Sequence, residues 1–162
     1  MKTIAIFSTS QIIPLIEKNI VVDLNEYKGI GVGSKKLLVF KKSLVCAECG
    51  RIGTVFYLQE NEKGRRILNL FSLTDIEVMM TVDHIIPKSK GGKNDMNNLR
   101  TMCFPCNVRR GNKIDLADLN DDLAKKLFYS GAGMQFFGRK GMRKLGQLIG
   151  ENYYGNNCYI SA

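Results

Sequence analysis

The side chains best suited to chemistry lie in two short stretches of the chain. Asp83 and His84 follow an apolar run, and a Cys-x-x-Cys pair ending at Cys106 is followed directly by Asn107. Histidine titrates close to physiological pH, so its neutral ring can accept a proton from water. Carboxylate and amide oxygens such as those of Asp83 and Asn107 suit hard cations, of which Mg²⁺ and Mn²⁺ are typical. These residue types could together supply a general base and ligands for a divalent cation.

The cysteines predict a second, structural metal. Four of the five form two Cys-x-x-Cys pairs, which are Cys46 with Cys49 and Cys103 with Cys106. In a reducing compartment such pairs more often bind metal than form disulfides, and four thiolates suit tetrahedral Zn²⁺. A small unit buries little apolar surface, so this zinc would supply folding free energy. Cys158 stands alone and is interpreted as a small apolar residue.

Residues 82–113 spell VDHIIPKSKGGKNDMNNLRTMCFPCNVRRGNK. This stretch resembles the motif of the HNH endonucleases, a family of the ββα-metal superfamily. The last letter of the motif is often His, and here Asn107 stands in that position. An Asn at this position is similar to many short phage HNH proteins. The resemblance implies that His84 is the general base and that Asp83 and Asn107 hold one catalytic Mg²⁺ or Mn²⁺. It leaves the four cysteines to bind zinc, with no part in cleavage.

The middle letter of the motif is assigned to Asn98. By resemblance, its amide ties the return loop together so that His84 is held in place. Asn97 is the alternative, and Asn98 is preferred because it directly precedes Leu99.

The stretch after His84 is strongly basic, with Asp95 as its one acid up to residue 113. Basic side chains concentrated beside a metal site predict contacts with DNA phosphates. They are Lys88, Lys90, Lys93, Arg100, Arg109, Arg110 and Lys113. Arg110 lies three residues after Asn107 on the same helical face, and is the preferred contact near the scissile phosphate.

The whole chain has the same charge bias. Its 162 residues include 24 Lys and Arg against 15 Asp and Glu, which gives a net charge of +9 and favours a polyanionic partner. An apolar run long enough to span a bilayer is absent from the sequence, and the first twenty or so residues lack a clean signal-peptide core. We therefore expect DNA rather than a membrane as the partner. The expected location is the cytoplasm, that of the host cell if a phage encodes the protein.

The resemblance and the patterning together imply an α+β fold: a zinc-stabilised ββα-metal (HNH) core with an inserted β-hairpin and a helical C-terminal flank. The core strands are expected over residues 78–86 and 99–102, and the core helix over 105–110. The inserted hairpin is expected over 54–59 and 67–73. Adjacent residues of a strand face opposite sides, so Asp83 and His84 must lie where their strand ends or bulges.

Three segments follow from this pattern: a flank over 1–45 for substrate recognition or packing, the nuclease core over 46–113 with its insertion at about 50–77, and a helical flank over 114–162. Ser34 is expected to cap a helix over 35–44, with a strand over 37–40 as the alternative. Asp115 is expected to cap one helix bearing Leu116, Leu119, Leu123 and Leu127. Met142, Leu145 and Leu148 indicate another short helix.

The resemblance implies a metal-dependent endonuclease that hydrolyses DNA phosphodiester bonds. The alternative is a non-catalytic zinc module that binds nucleic acid, which would have no use for Asp83, His84 and Asn107. Nicking, double-strand cleavage and junction resolution stay open, as does the oligomeric state; a homodimer would favour double-strand cuts.

Overall fold

The computed structural model describes residues 1–17, 20–130, 132–153 and 159–160. Its chain forms two compact units, each built from discontinuous segments. Unit 1 comprises Met1–His84 and Lys93–Gly111, and unit 2 comprises Ile85–Gly92 and Asn112–Ala162. These units divide the chain differently from the three predicted segments, because residues 1–45 share a unit with the core strands.

Unit 1 is built on a five-stranded antiparallel sheet. Its strands are β1 (Lys2–Ser8), β4 (Val55–Glu60), β5 (Arg66–Ser72), β6 (Val78–His84) and β7 (Leu99–Cys103), in the order β1-β4-β5-β6-β7. The predicted hairpin is confirmed as β4 and β5. Although it is an insertion in sequence, it joins the same sheet as the core strands.

The N-terminal segment packs against this sheet. It contains α1 (Thr9–Ile12), a 3-10 turn (Ile13–Leu15), β2 (Val21–Leu24), β3 (Tyr27–Gly31) and α2 (Lys35–Lys42). Ser34 caps α2 by accepting a hydrogen bond from the Leu37 backbone at 3.3 Å, so the helix is confirmed and the alternative strand is wrong. Leu37 and Phe40 of α2 are buried in one apolar cluster with Phe56 and Leu70 of the sheet.

The ββα core is present as β6, β7 and α3 (Phe104–Arg110). Pro105 lies in the first turn of α3, and Gly111, whose φ of 54° favours glycine, follows the last helical residue as its C-cap. Strand β6 ends at His84 rather than at residue 86. Ile86 instead belongs to the apolar core of unit 2, which explains the earlier end.

Unit 2 is mainly helical. The prediction of a single helix after Asp115 is wrong. The chain forms a 3-10 turn (Leu116–Asp118) and then α4 (Asp121–Tyr129). Each has its own cap, because Asp115 accepts from the Ala117 backbone at 3.0 Å and Asn120 accepts from the Leu123 backbone at 2.9 Å. The second cap restarts the helix and divides the leucine pattern.

The chain continues through α5 (Ala132–Leu148), which contains a non-helical Gly138. The predicted helix bearing Met142, Leu145 and Leu148 is the last part of α5. Met142 and Leu145 are buried with Leu123 and Phe128, whereas Leu148 is 53% exposed. Strands β8 (Asn152–Tyr153) and β9 (Tyr159–Ile160) pair in antiparallel fashion. Cys158 lies outside the described residues. Within the described ranges, every helix is too short or too polar to cross a bilayer.

Candidate active site and metal centre

The two Cys-x-x-Cys pairs come together in unit 1. The sulfur atoms of Cys46, Cys49, Cys103 and Cys106 all lie within 4.8 Å of one another. The first pair lies on a turn in which the Gly50 backbone donates to the Cys46 carbonyl at 3.0 Å, and Gly50 has a φ of 74°. A bond of 2.9 Å from the Ala47 backbone to the Thr101 carbonyl ties this turn to β7. The second pair spans the junction of β7 and α3, so strand, helix and turn meet at the thiols.

The cluster has the chemistry and dimensions of a zinc site. A tetrahedral ion with Zn–S bonds of about 2.3 Å separates its sulfurs by about 3.8 Å, and the Sγ atoms of Cys49 and Cys103 lie 3.7 Å apart. Burial works against ionisation at Cys46, but backbone donors at Cys49, Cys103 and Glu48 lower its pKa to about 7. Burial and neighbouring thiols raise the pKa of Cys106. A bound cation favours the thiolate form of cysteine, and four thiolates suit zinc.

His84 is the last residue of β6, which is where the sequence requires the pair with Asp83 to lie. Its Nε2 atom is 2.6 Å from Oδ1 of Asn94 in the return loop. With the Asn94 amide in this orientation, its carbonyl oxygen accepts a hydrogen bond from a protonated Nε2. In this tautomer the lone pair lies on Nδ1, the ring atom that can accept a proton from a substrate water.

The return loop is held from two sides. Asn98 is 2% exposed, and its amide donates to the Lys93 carbonyl at 2.9 Å. Lys35, at the start of α2, donates from Nζ to the Asn94 carbonyl at 2.6 Å. Asn98 therefore holds the backbone beside Asn94, and Asn94 is the residue that touches the imidazole.

Asp83 is 7% exposed and points toward α3. Its Oδ2 atom accepts from Arg110 Nη1 at 2.9 Å and from Arg100 Nε at 3.2 Å. Arg100 is the cross-strand neighbour of Asp83 on β7, and Arg110 also donates to the His84 carbonyl at 3.0 Å. The carboxylate is therefore bound by two guanidinium groups.

Asn107 lies on the same side of the hairpin as Asp83. Its Nδ2 atom donates to Thr81 Oγ1 at 2.9 Å, and the Thr81 hydroxyl in turn donates to the Met102 carbonyl at 2.9 Å. Because that hydroxyl proton is used, the hydroxyl must accept from the nitrogen end of the amide. This leaves Oδ1 of Asn107 as the amide atom suited to a hard cation. Amide and carboxylate oxygens such as those of Asn107 and Asp83 are the ligand types that Mg²⁺ and Mn²⁺ prefer.

Residues 74–122 match the family model described as HNH endonuclease. This segment is similar to HNH endonucleases. The match covers a minority of the chain, including Asp83, His84, Asn98 and Asn107, and it excludes Cys46 and Cys49. Searches of curated proteins and of solved structures gave no significant match.

The basic residues of the HNH segment are distributed over both units. Unit 1 holds Lys93, Arg100, Arg109 and Arg110, and unit 2 holds Lys88, Lys90 and Lys113. Arg100 and Arg110 pair with Asp83, whereas Arg109 donates to Glu48 at 2.6 Å and to Cys106 Sγ at 3.4 Å. Arg109 therefore faces the cysteine cluster, a contact that the sequence does not reveal.

Three further residues of the HNH site are not identified by sequence reasoning: Lys35, Thr81 and Asn94. Asn94 is one of three asparagines in the return loop, and the motif draws attention to the other two. Thr81 lies two residues before Asp83, so strand alternation could have placed it on the same face. Lys35 is distant in sequence and enters the site through tertiary packing alone.

Proposed function

We propose that this protein is a metal-dependent HNH endonuclease that hydrolyses DNA phosphodiester bonds, with His84 as general base. One observation carries the proposal: the 2.6 Å contact between His84 Nε2 and Asn94 Oδ1. With the Asn94 oxygen as acceptor, this contact favours the ring tautomer whose Nδ1 can accept a proton, at the strand end next to Asp83. The HNH family match supports a nuclease in general terms.

In the proposed reaction, a water oxygen bonds to phosphorus while its proton passes to Nδ1 of His84. The bond from phosphorus to the 3′ oxygen breaks, and that oxygen takes up a proton from solvent, so the product carries a 5′ phosphate. A divalent cation held by Asp83 and Asn107 would neutralise charge that grows on the phosphate oxygens. Asn94 keeps the imidazole oriented, and Asn98 keeps the loop around Asn94 in place.

DNA is the proposed substrate because the chain has a net charge of +9 and concentrates cationic side chains within the HNH segment. Lys93 is exposed in unit 1, and Lys88 and Lys113 are exposed in unit 2. Zinc in the cysteine cluster has a structural role in this proposal. It holds the turn that bears Cys46 against the junction of β7 and α3.

The test compares wild-type and His84→Ala protein for cutting supercoiled plasmid in Mg²⁺, with zinc content and DNA affinity measured on both. The wild type is expected to cut, and the cutting rate of the variant is expected to be lower by a factor of about 100 or more. Zinc content and DNA affinity should be nearly equal in the two proteins. Equal inactivity with retained DNA binding would instead support the non-catalytic binding module. Linear, supercoiled and four-way junction substrates would then separate nicking, double-strand cleavage and junction resolution.

A further inference from the structure

The Asp83 carboxylate has two roles that compete. In the proposed function its oxygens bind a divalent cation, yet Oδ2 already accepts from Arg110 at 2.9 Å and from Arg100 at 3.2 Å. The side chains of Asp83 and Arg110 are 8% and 7% exposed. At this burial, water screens the charges weakly, so a cation that approaches Asp83 meets strong repulsion from the guanidinium groups.

Both arginines are also suited to bind a phosphate group of DNA. A guanidinium binds a phosphate through the same parallel N–H groups that bind a carboxylate. Arg110 lies three residues after Asn107, so one short helix presents both the amide that would bind the cation and the arginine that opposes the cation. A DNA phosphate that drew Arg110 away would thereby remove positive charge from the cation site.

We propose that Arg110, supported by Arg100, couples cation binding to DNA binding. Without DNA, the guanidinium groups hold Asp83 and weaken its affinity for Mg²⁺. When a backbone phosphate engages Arg110, the carboxylate becomes available to the cation. The inference rests on the proposed function, and it adds that the site assembles fully on the substrate. Coupling of this kind is reciprocal, so the cation must strengthen DNA binding by the same factor.

The test measures Mn²⁺ binding to full-length, zinc-loaded His84→Ala protein, in which DNA stays uncut. Electron paramagnetic resonance reports free Mn²⁺ in the absence of DNA. Adding Arg110→Met is expected to raise the Mn²⁺ affinity about tenfold, because it removes a buried positive charge beside the carboxylate. Adding Arg66→Met is the matched control, since Arg66 pairs with Glu60 outside the site, and it should leave the affinity unchanged.

The second measurement is the DNA affinity of the same proteins, from the fluorescence anisotropy of a labelled duplex with and without Mn²⁺. Mn²⁺ should strengthen DNA binding about tenfold in the His84→Ala protein, and clearly less once Arg110 is also replaced. Should Arg110→Met fail to fold, Arg100→Met carries the same expectation. Equal Mn²⁺ affinity with and without the arginine would overturn the inference.

Failure of the inference can be distinguished from failure of the proposed function. If wild-type protein cuts plasmid while the arginine variants bind Mn²⁺ unchanged, the coupling is wrong and the nuclease stands. If wild-type protein does not cut, the nuclease proposal is wrong, whatever the Mn²⁺ measurements show.

Discussion

At the residue scale, the orientation of His84 depends on one side chain that the sequence does not single out. The Asp-His pair and the cysteine spacing are legible from the sequence because they are local patterns with a chemical meaning. Asn94 is different, since its contact with His84 depends on how the return loop folds. Three asparagines occupy that loop, and propensity cannot tell which one reaches the ring.

Replacing Asn94 tests this orientation. Asn94→Ala should lower kcat for DNA cutting about tenfold, because the ring loses the acceptor that fixes its tautomer. KM should change little. Asn94→Asp should move the acidic limb of the kcat profile to higher pH, because a carboxylate beside the imidazole favours its protonated form. Asn97→Ala, in the same loop, is the matched control and should retain wild-type kcat. Equal kcat values for the Asn94→Ala and Asn97→Ala proteins would contradict the assigned role.

At the element scale, helix α2 links the N-terminal segment to the site. Its start is predictable from Ser34, and the hairpin of β4 and β5 from β-branched and aromatic runs. The break between Leu116 and Leu123 is not predictable from leucine spacing, because the cap at Asn120 overrides the periodicity.

Lys35 and Lys36 both look like solvent-exposed charges in sequence. In the structure, Lys35 reaches Asn94, and Lys36 donates to Asn69 on β5 at 2.6 Å.

Lys36, on α2, makes the free energy of unfolding depend on pH. Burial lowers the pKa of Lys36 to about 8 from its usual 10.5. Between these values the unfolded chain holds a proton that the folded chain has released, so the free energy of unfolding rises with pH. The rise amounts to at most about 3 kcal/mol.

Denaturant unfolding between pH 7 and about 11 measures this effect. Lys36→Met should lose the rise, and Lys42→Met, an exposed lysine on the same helix, should keep it. Identical pH slopes in the two variants would show that Lys36 is not the titrating group.

At the scale of the whole molecule, the cysteine cluster joins parts of unit 1 that are far apart in sequence. The sequence predicts the cluster because thiol pairs have few other uses in a reducing compartment. It does not predict the two units. Residues 85 and 86 continue the apolar run of β6, yet Ile86 packs with Leu123 and Phe128 in unit 2. Apolar patterning indicates burial and leaves open which core a residue joins.

Removing one thiol tests the structural role of the cluster. Cys103→Ser should lose bound zinc and unfold or aggregate, because the remaining thiols no longer close a tetrahedral site. Cys158→Ser makes the same chemical change outside the two pairs, and it should keep both zinc and solubility. Metal analysis and thermal melting of the two proteins check this. Native melting of a zinc-free Cys103→Ser protein would show that the cluster does not hold the fold together.

We propose that one chain uses two ions in separate roles: zinc to hold the ββα unit, and a hard cation at Asp83 and Asn107 for cutting. The most direct measurement is the rate of plasmid cutting as Mg²⁺ is added to protein of known zinc content. We predict one zinc per chain throughout, no cutting before Mg²⁺ is added, and a rate that rises to saturation. Full cutting by the zinc-loaded protein without Mg²⁺, or native protein that contains no zinc, would contradict the claim.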